Sequence, residues 1–236
     1  MKRSTILTTC AALLLVANLA HAQGDQGRGR GRDHDKRTVP AQEQQQRVDE
    51  QRQRDTEYKA ALANQVRATQ EAAAALQQQK RTAQYAVNQQ YVANLHQQQE
   101  HMNSQRDARR DPYFSAPMTF RYRVGSNDRE TNRYGAEVMR QAVNNGYEQG
   151  WKAGRADRRD RWSSNYQQSY GYQDANYGFN GNYLPQADYN YYFREGFRRG
   201  YDDGFARHSQ YGTVVNGSPS ILDSVLSSIL GLRTIG

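Results

Sequence analysis

The side chains best equipped for chemistry are few in this chain, and their spacing keeps them apart. Beyond the first 22 residues there are four histidines, His34, His96, His101 and His208. His96 and His101 are five positions apart, about 140° around a helix, so they cannot offer one metal-facing side. Asp202-Asp203-Gly204 lacks the alternating ligands of a calcium loop and reads as the charged side of a helix. Glu195 and Asp202 would be the nearest acid pair, yet no pocket is implied around them. HExxH, P-loop and G-x-S-x-G patterns do not occur. No catalytic residue, metal ligand, cofactor or small-molecule substrate is therefore expected.

What the sequence does contain is a repeat. Gly146, Gly150 and Gly154 recur fifty positions later as Gly196, Gly200 and Gly204. An aromatic follows the first two glycines each time: Tyr147 and Trp151, then Phe197 and Tyr201. On a helix, residues four apart are neighbours, so each triplet forms a bare stripe. Glycine costs about 1 kcal/mol relative to alanine in a helix interior, or roughly 5–6 kcal/mol for six. A stripe that costly implies close packing against another helix. The two glycine helices are expected to pack antiparallel on each other, with these ten residues as the helix-packing set. Over Gly146–Gly154 and Gly196–Gly204 the chain resembles the glycine-repeat helices of flagellar export stator regulators; the resemblance ends with the repeat.

The start of the chain has the pattern of a bacterial signal peptide over residues 1–22. Lys2 and Arg3 precede the apolar run Ile6–Leu19, and Ala20-His21-Ala22 supplies an A-x-A cleavage site before Gln23. The run is short for a membrane span, so stable membrane insertion after cleavage is not expected. The single cysteine, Cys10, lies inside the leader. An exported chain without a disulfide must rely on packing alone. The apolar fraction is only 36%, with 17 Tyr against 6 Phe, and the mean hydropathy is −1.08. These values point to a long helix, a small packed module and partly disordered segments rather than one ordinary core. The formal charge is +8. Residues 23–40 form a basic arm in which Arg28, Arg30 and Arg32 alternate with glycine. It reads either as a strand contacting a polyanion, such as an anionic envelope polymer, or as a solvated tail.

Residues 41–111 contain neither glycine nor proline and are rich in Gln, Ala and Arg, which predicts one long helix. Leu62, Val66, Thr69, Ala73, Leu76, Lys80, Ala83 and Val87 follow coiled-coil spacing, after which the register slips to Tyr91 and Leu95. The seam is thin. It suits a weak homo-oligomer through residues 41–111 or a lone solvated stalk. Residues 112–132 read as an extended linker whose alternating Met118, Phe120, Tyr122 and Val124 suggest one strand, followed by a turn at Gly125-Ser126-Asn127-Asp128. Residues 133–212 would be the glycine-repeat module, with helices near Tyr134–Arg158 and Tyr189–His208 and a Tyr/Asn/Gly-rich loop over 159–188. Residues 213–236 would end the chain in an amphipathic helix capped by Ser218, with Pro219 in its first turn and Gly231 at its stop.

The fold class expected is mainly α: a coiled-coil-like stalk plus a small C-terminal helical module. The function expected is that of an exported, periplasmic or secreted, non-enzymatic structural or interaction protein of the bacterial cell envelope. A periplasmic holdase-like chaperone, or a binder of an anionic envelope polymer or extracellular DNA through the basic arm, is the alternative.

Overall fold

The computed structural model describes residues 39–102 and 111–235; the leader-like segment and Arg28, Arg30 and Arg32 lie outside them. The chain is mainly α. Two long helices come first, α1 (Ala41–Gln78) and α2 (Thr82–Met102). A hairpin follows, made of β1 (Phe120–Val124) and β2 (Asn127–Thr131). Helix α3 (Arg133–Arg159) carries the first glycine triplet and α5 (Gln186–Ala206) the second. Between them lie a 3-10 turn at Tyr166–Gln168 and the short α4 (Tyr170–Asp174). The chain closes with a hairpin of β3 (Gly212–Val215) and β4 (Ser218–Ile221), then α6 (Asp223–Leu230) and β5 (Arg233–Thr234).

The continuous stalk expected over 41–111 is not what forms. The helix stops at Gln78, and Lys80 adopts a left-handed conformation at φ +56°. Lys80 N–H donates to Gln77 O and Arg81 N–H to Leu76 O, the two bonds of a Schellman ending. Helix α2 then packs beside α1. Nothing in Gln79-Lys80-Arg81 marks a break by composition. The break is held from outside, because Asp160 accepts from the Ala83 and Gln84 amides at 2.9 and 2.8 Å and so caps α2. Leu62, Thr69, Ala73 and Leu76 of the supposed seam are buried within the chain itself, as are Tyr91 and Leu95.

This break has a signed test. Glycine tolerates the left-handed region, where lysine costs roughly 1–2 kcal/mol. Lys80→Gly is therefore expected to raise stability by about 1 kcal/mol in urea unfolding. In an unbroken helix the same substitution would lower stability by about that amount.

The extended segment also departs from expectation, since β1 finds partners in its own chain. It pairs with β2 in register Phe120↔Thr131 to Val124↔Asn127, closed by a two-residue turn in which Gly125 has φ +61°. On its other edge β5 pairs through Phe120↔Thr234. Strand β2 is all polar, Asn-Asp-Arg-Glu-Thr, and carries no apolar alternation to announce it. It is joined to β1 by Arg123–Asp128 and Arg121–Glu130 ion pairs at 2.8 and 3.0 Å. Ser218 and Pro219 likewise belong to a strand and not to a helix start. Asn216-Gly217, with φ +50° and +81°, is a hairpin turn of the primed kind that matches strand twist, so β3 and β4 pair across it. Helix α6 begins only at Asp223; it ends where expected, at Gly231 with φ +53°.

One core joins these elements. Tyr58 and Leu62 of α1, Tyr91 and Leu95 of α2, and Leu226 and Leu230 of α6 close around α3 and α5. The tyrosines of the 159–188 loop, including Tyr166, Tyr170, Tyr172 and Tyr177, pack against the same core.

Candidate functional site: a parallel glycine seam

The helical period dictates which residues of α3 and α5 share a face. Gly146, Gly150, Ala153, Gly154 and Asp157 fall on one side of α3, and Gly196, Gly200, Asp203 and Gly204 on one side of α5. These sides meet. A Cβ built on Gly146, Gly150 or Gly154 would lie 2.0–2.2 Å from the carbonyl oxygen of Phe193, Phe197 or Tyr201. One on Gly196, Gly200 or Gly204 would lie 2.0–2.3 Å from that of Val143, Tyr147 or Trp151. Only a hydrogen fits between these backbones. Each glycine Cα–H faces a carbonyl oxygen, a weak contact worth about 0.5–1 kcal/mol.

The order of these contacts gives the direction. As numbers rise along α3 they rise along α5, so the helices run parallel. The antiparallel arrangement expected from the sequence is incorrect. An antiparallel pair would set Gly146 against Gly204; here it lies at the level of Gly196, its counterpart fifty positions on. The connector Asp160–Pro185 makes this reachable. It must return along a helix of about 40 Å at 1.5 Å per residue, and an extended chain covers about 3.3 Å per residue.

The aromatic residues divide in their roles. Tyr147, Phe197 and Tyr201 are fully buried. Tyr189, Phe193, Phe197, Tyr201 and Phe205 form a ladder along α5 with neighbouring ring centroids 6.0–6.5 Å apart. Trp151 is only half-buried, with the Arg155 guanidinium 4.4 Å above its ring.

Two aspartates are in the core, Asp157 and also Asp203, which the sequence reads as part of the charged side of a helix. Asp157 accepts from Tyr201 Oη at 2.7 Å and is ion-paired with Arg81. Asp203 accepts from Tyr147 Oη at 2.7 Å and from the Gln210 and Tyr211 amides at 2.7 and 2.9 Å. The tyrosine of each helix thus holds an aspartate of the other. A third pair, Tyr122 Oη to Asp188 at 2.7 Å, ties β1 to the start of α5. Burial pushes the Asp157 and Asp188 carboxyls above the usual carboxylate range, against the lowering pull of their tyrosine and arginine partners. Burial also raises the Tyr122, Tyr147 and Tyr201 phenols, which stay protonated as donors. Their positions relative to the glycines are the signal that could have placed both aspartates: Asp157 is seven after Gly150, and Asp203 seven after Gly196.

Arg81 and Trp162 complete the arrangement. Helix α3 ends in the same motif as α1, with Arg161 at φ +55° and Trp162 N–H donating to Asp157 O. The residues that follow the two left-handed positions, Arg81 and Trp162, stack with the guanidinium 4.5 Å from the indole centroid.

No family model, curated protein or solved structure matches this chain. Among the described residues, no group of three His, Cys, Asp or Glu side chains is placed to hold a metal ion. Glu195 pairs with Arg198 and Arg199. None of the helices described is long and apolar enough to cross a membrane. The geometry is suited to rigid coupling of elements: six glycines let two backbones touch, and tyrosine–aspartate pairs fix their register.

Proposed function

We propose that this chain is an exported, non-enzymatic structural or interaction protein of the bacterial cell envelope, whose glycine-helix pair is a rigid scaffold. The observation that carries this reading is the closure of α3 on α5, backbone against backbone, with the buried aspartates engaged in holding elements together. Packing of this kind gives the processed chain, which would lack Cys10, a firm core outside the cytoplasm.

The surface for a partner is the β3–β4 hairpin. Among the described residues, Val214, Val215 and Leu222 are the large apolar ones left exposed, and Val215 keeps 61% of its surface in solvent. They sit on and beside a two-stranded ribbon, a form of edge that takes an added strand or an apolar partner. The stalk and its oligomer seam are not part of this reading.

Two measurements on the native host test it. The processed chain, starting at Gln23, is expected in the periplasmic or secreted fraction; an unprocessed cytoplasmic chain refutes export. Native electrophoresis of that fraction should show an assembly that the Val214→Lys/Val215→Lys variant loses. An assembly unaffected by those two lysines removes the hairpin from the proposal.

A further inference from the structure

Because α3 and α5 run parallel, their C-terminal ends lie together, and that end is crowded with arginine. Arg155, Arg158, Arg159 and Arg161 come from α3 and its stop, and Arg207 caps α5 in a left-handed conformation. Cations near a helix C-terminus complement its dipole, which gives such a cluster a structural use. Only Arg158 is hydrogen-bonded in that way, donating to Gly204 O and Phe205 O at 2.5 and 2.9 Å. None of the five is in an ion pair among the described residues. The nearby acids are committed elsewhere: Asp157 to Arg81, Asp160 to the α2 amides, and Asp203 to Tyr147 and the amides after α5. Burial, and then the positive charges of Arg207 and Arg155, lowers the Arg158 guanidinium from its ordinary value. The cluster repels itself.

Part of it lines a groove between α2 and α3 with a volume of about 470 Å³. Lys152, Arg155 and Arg159 stand along the α3 wall at positions i, i+3 and i+7, one helix face and about 10 Å from end to end. Lys152 is paired with Glu148 at 2.6 Å, whereas Arg155 and Arg159 are exposed. Trp151 is in the same wall, and the Arg155 guanidinium lies 4.4 Å over its ring. Across from them α2 offers Ala83, Ala86 and Val87, small and uncharged. Asp160, the one acid in the lining, is the cap of α2.

The wall selects the ligand. A row of cations follows a repeated anion, and an exposed guanidinium over an indole is a platform for a base. The cations line a concavity, which a flat lipid surface or a rigid duplex does not enter and a single strand does.

We propose that the α2–α3 groove binds single-stranded nucleic acid, with a base on the Arg155–Trp151 stack and phosphates on Arg159 and the arginines beyond it. Neither the hairpin surface nor the arm carrying Arg28, Arg30 and Arg32 is needed for it.

An oligothymidine of about 12 nucleotides titrated into the full chain tests this. Arg28, Arg30 and Arg32 are changed to serine so that the arm supplies no contact, and Trp162→Phe leaves Trp151 as the reporter. Saturable binding is expected at low salt, read by anisotropy of the labelled strand and by Trp151 quenching. Its log–log salt dependence should be about −2 to −3, the value for three to four phosphates. An abasic strand of equal length, which keeps every phosphate, should bind at least fivefold more weakly. Arg155→Gln/Arg159→Gln should weaken binding at least tenfold with Tm kept, because both side chains are exposed. Arg140→Gln/Arg233→Gln, at two exposed arginines elsewhere, should stay within twofold of the parent. Arg155→Lys keeps the charge and loses the plane, so it should weaken the thymidine strand and leave the abasic one unchanged. The proposal fails if no strand binds at millimolar concentration, or if the two double variants bind alike. It fails too if the abasic strand or inorganic polyphosphate binds as tightly as oligothymidine, since the groove would then read charge alone.

Discussion

Replacing Gly200 by alanine is expected to destabilise the protein by about 3 kcal/mol or more, although alanine is the better helix former. In a solvated helix the change would add about 1 kcal/mol of stability. Here the new methyl carbon would lie 2.0 Å from Tyr147 O, 2.7 Å from its carbonyl carbon and 2.9 Å from its Cα. All three are backbone atoms of a packed helix, and no rotamer change relieves the overlap. The helices must part, and parting them loosens Tyr147, Phe197 and Tyr201 together. Gly150→Ala meets the backbone of Phe197 in the same way. The Gly150→Ala/Gly200→Ala double variant should lose less than the sum of the singles, because one separation accommodates both methyls. Arg140→Ala, on an exposed position of α3, is the control and should stay within about 0.5 kcal/mol of the parent. Urea unfolding followed by circular dichroism measures all four, and a Gly200→Ala variant more stable than the parent would remove the seam from the account.

Arg81→Ala is expected to cost about 3–5 kcal/mol near neutral pH, the usual result of stranding one charge of a buried pair. Asp157 is 1% exposed, and without Arg81 only neutral partners such as Tyr201 Oη remain to it. The direction of the pH dependence follows from its raised carboxyl. A carboxyl whose folded pKa exceeds its unfolded value contributes most below the unfolded value, and that contribution is lost as pH rises through the folded pKa. Removing Arg81 takes away a lowering influence and moves the folded pKa further up. The deficit of the variant relative to the parent should therefore shrink between pH 7 and pH 5. Arg81→Ala/Asp157→Asn should recover much of the loss at pH 7, since the new carboxamide would still accept from Tyr201 and carry no charge. Trp162 emission should shift in both variants as the guanidinium leaves its ring. A deficit that is the same at pH 5 and pH 7 would show that Asp157 is not the group responsible.

How much of this is legible in the sequence depends on whether the deciding force is local. The four-residue glycine spacing locates α3 and α5, because the cost of each glycine has to be offset along one face. Gly231 marks a stop for the same reason of backbone freedom. Lys80 cannot be read as a break: its left-handed conformation is held by Asp160 and Arg81, which act across some eighty positions. Strand β2 has no apolar pattern, since its binding to β1 is backbone pairing plus two surface ion pairs. The direction of the α3–α5 pair comes out wrong from sequence because a stripe specifies closeness and not polarity; the length of the connector bears on that choice. The placement of Asp157 and Asp203 is available in their helical phase, but their charge points the other way. The α3 wall of the groove shows in the spacing of Trp151, Arg155 and Arg159, but the α2 wall gives no signal until the break at Lys80 brings it alongside.

The parallel seam can be tested directly by distance measurement between spin labels. Cys10 is the only cysteine, so label pairs can be introduced cleanly in a Cys10→Ser background. Glu137, Arg159 and Ala187 are exposed positions on α3 and α5. Glu137 and Ala187 are fifty apart and stand at one level of a parallel pair, whereas Arg159 lies about 33 Å further along the axis. Double electron–electron resonance should give a clearly shorter distance for Glu137→Cys/Ala187→Cys than for Arg159→Cys/Ala187→Cys. The reverse order would mean the helices run antiparallel, and the seam described here would be wrong.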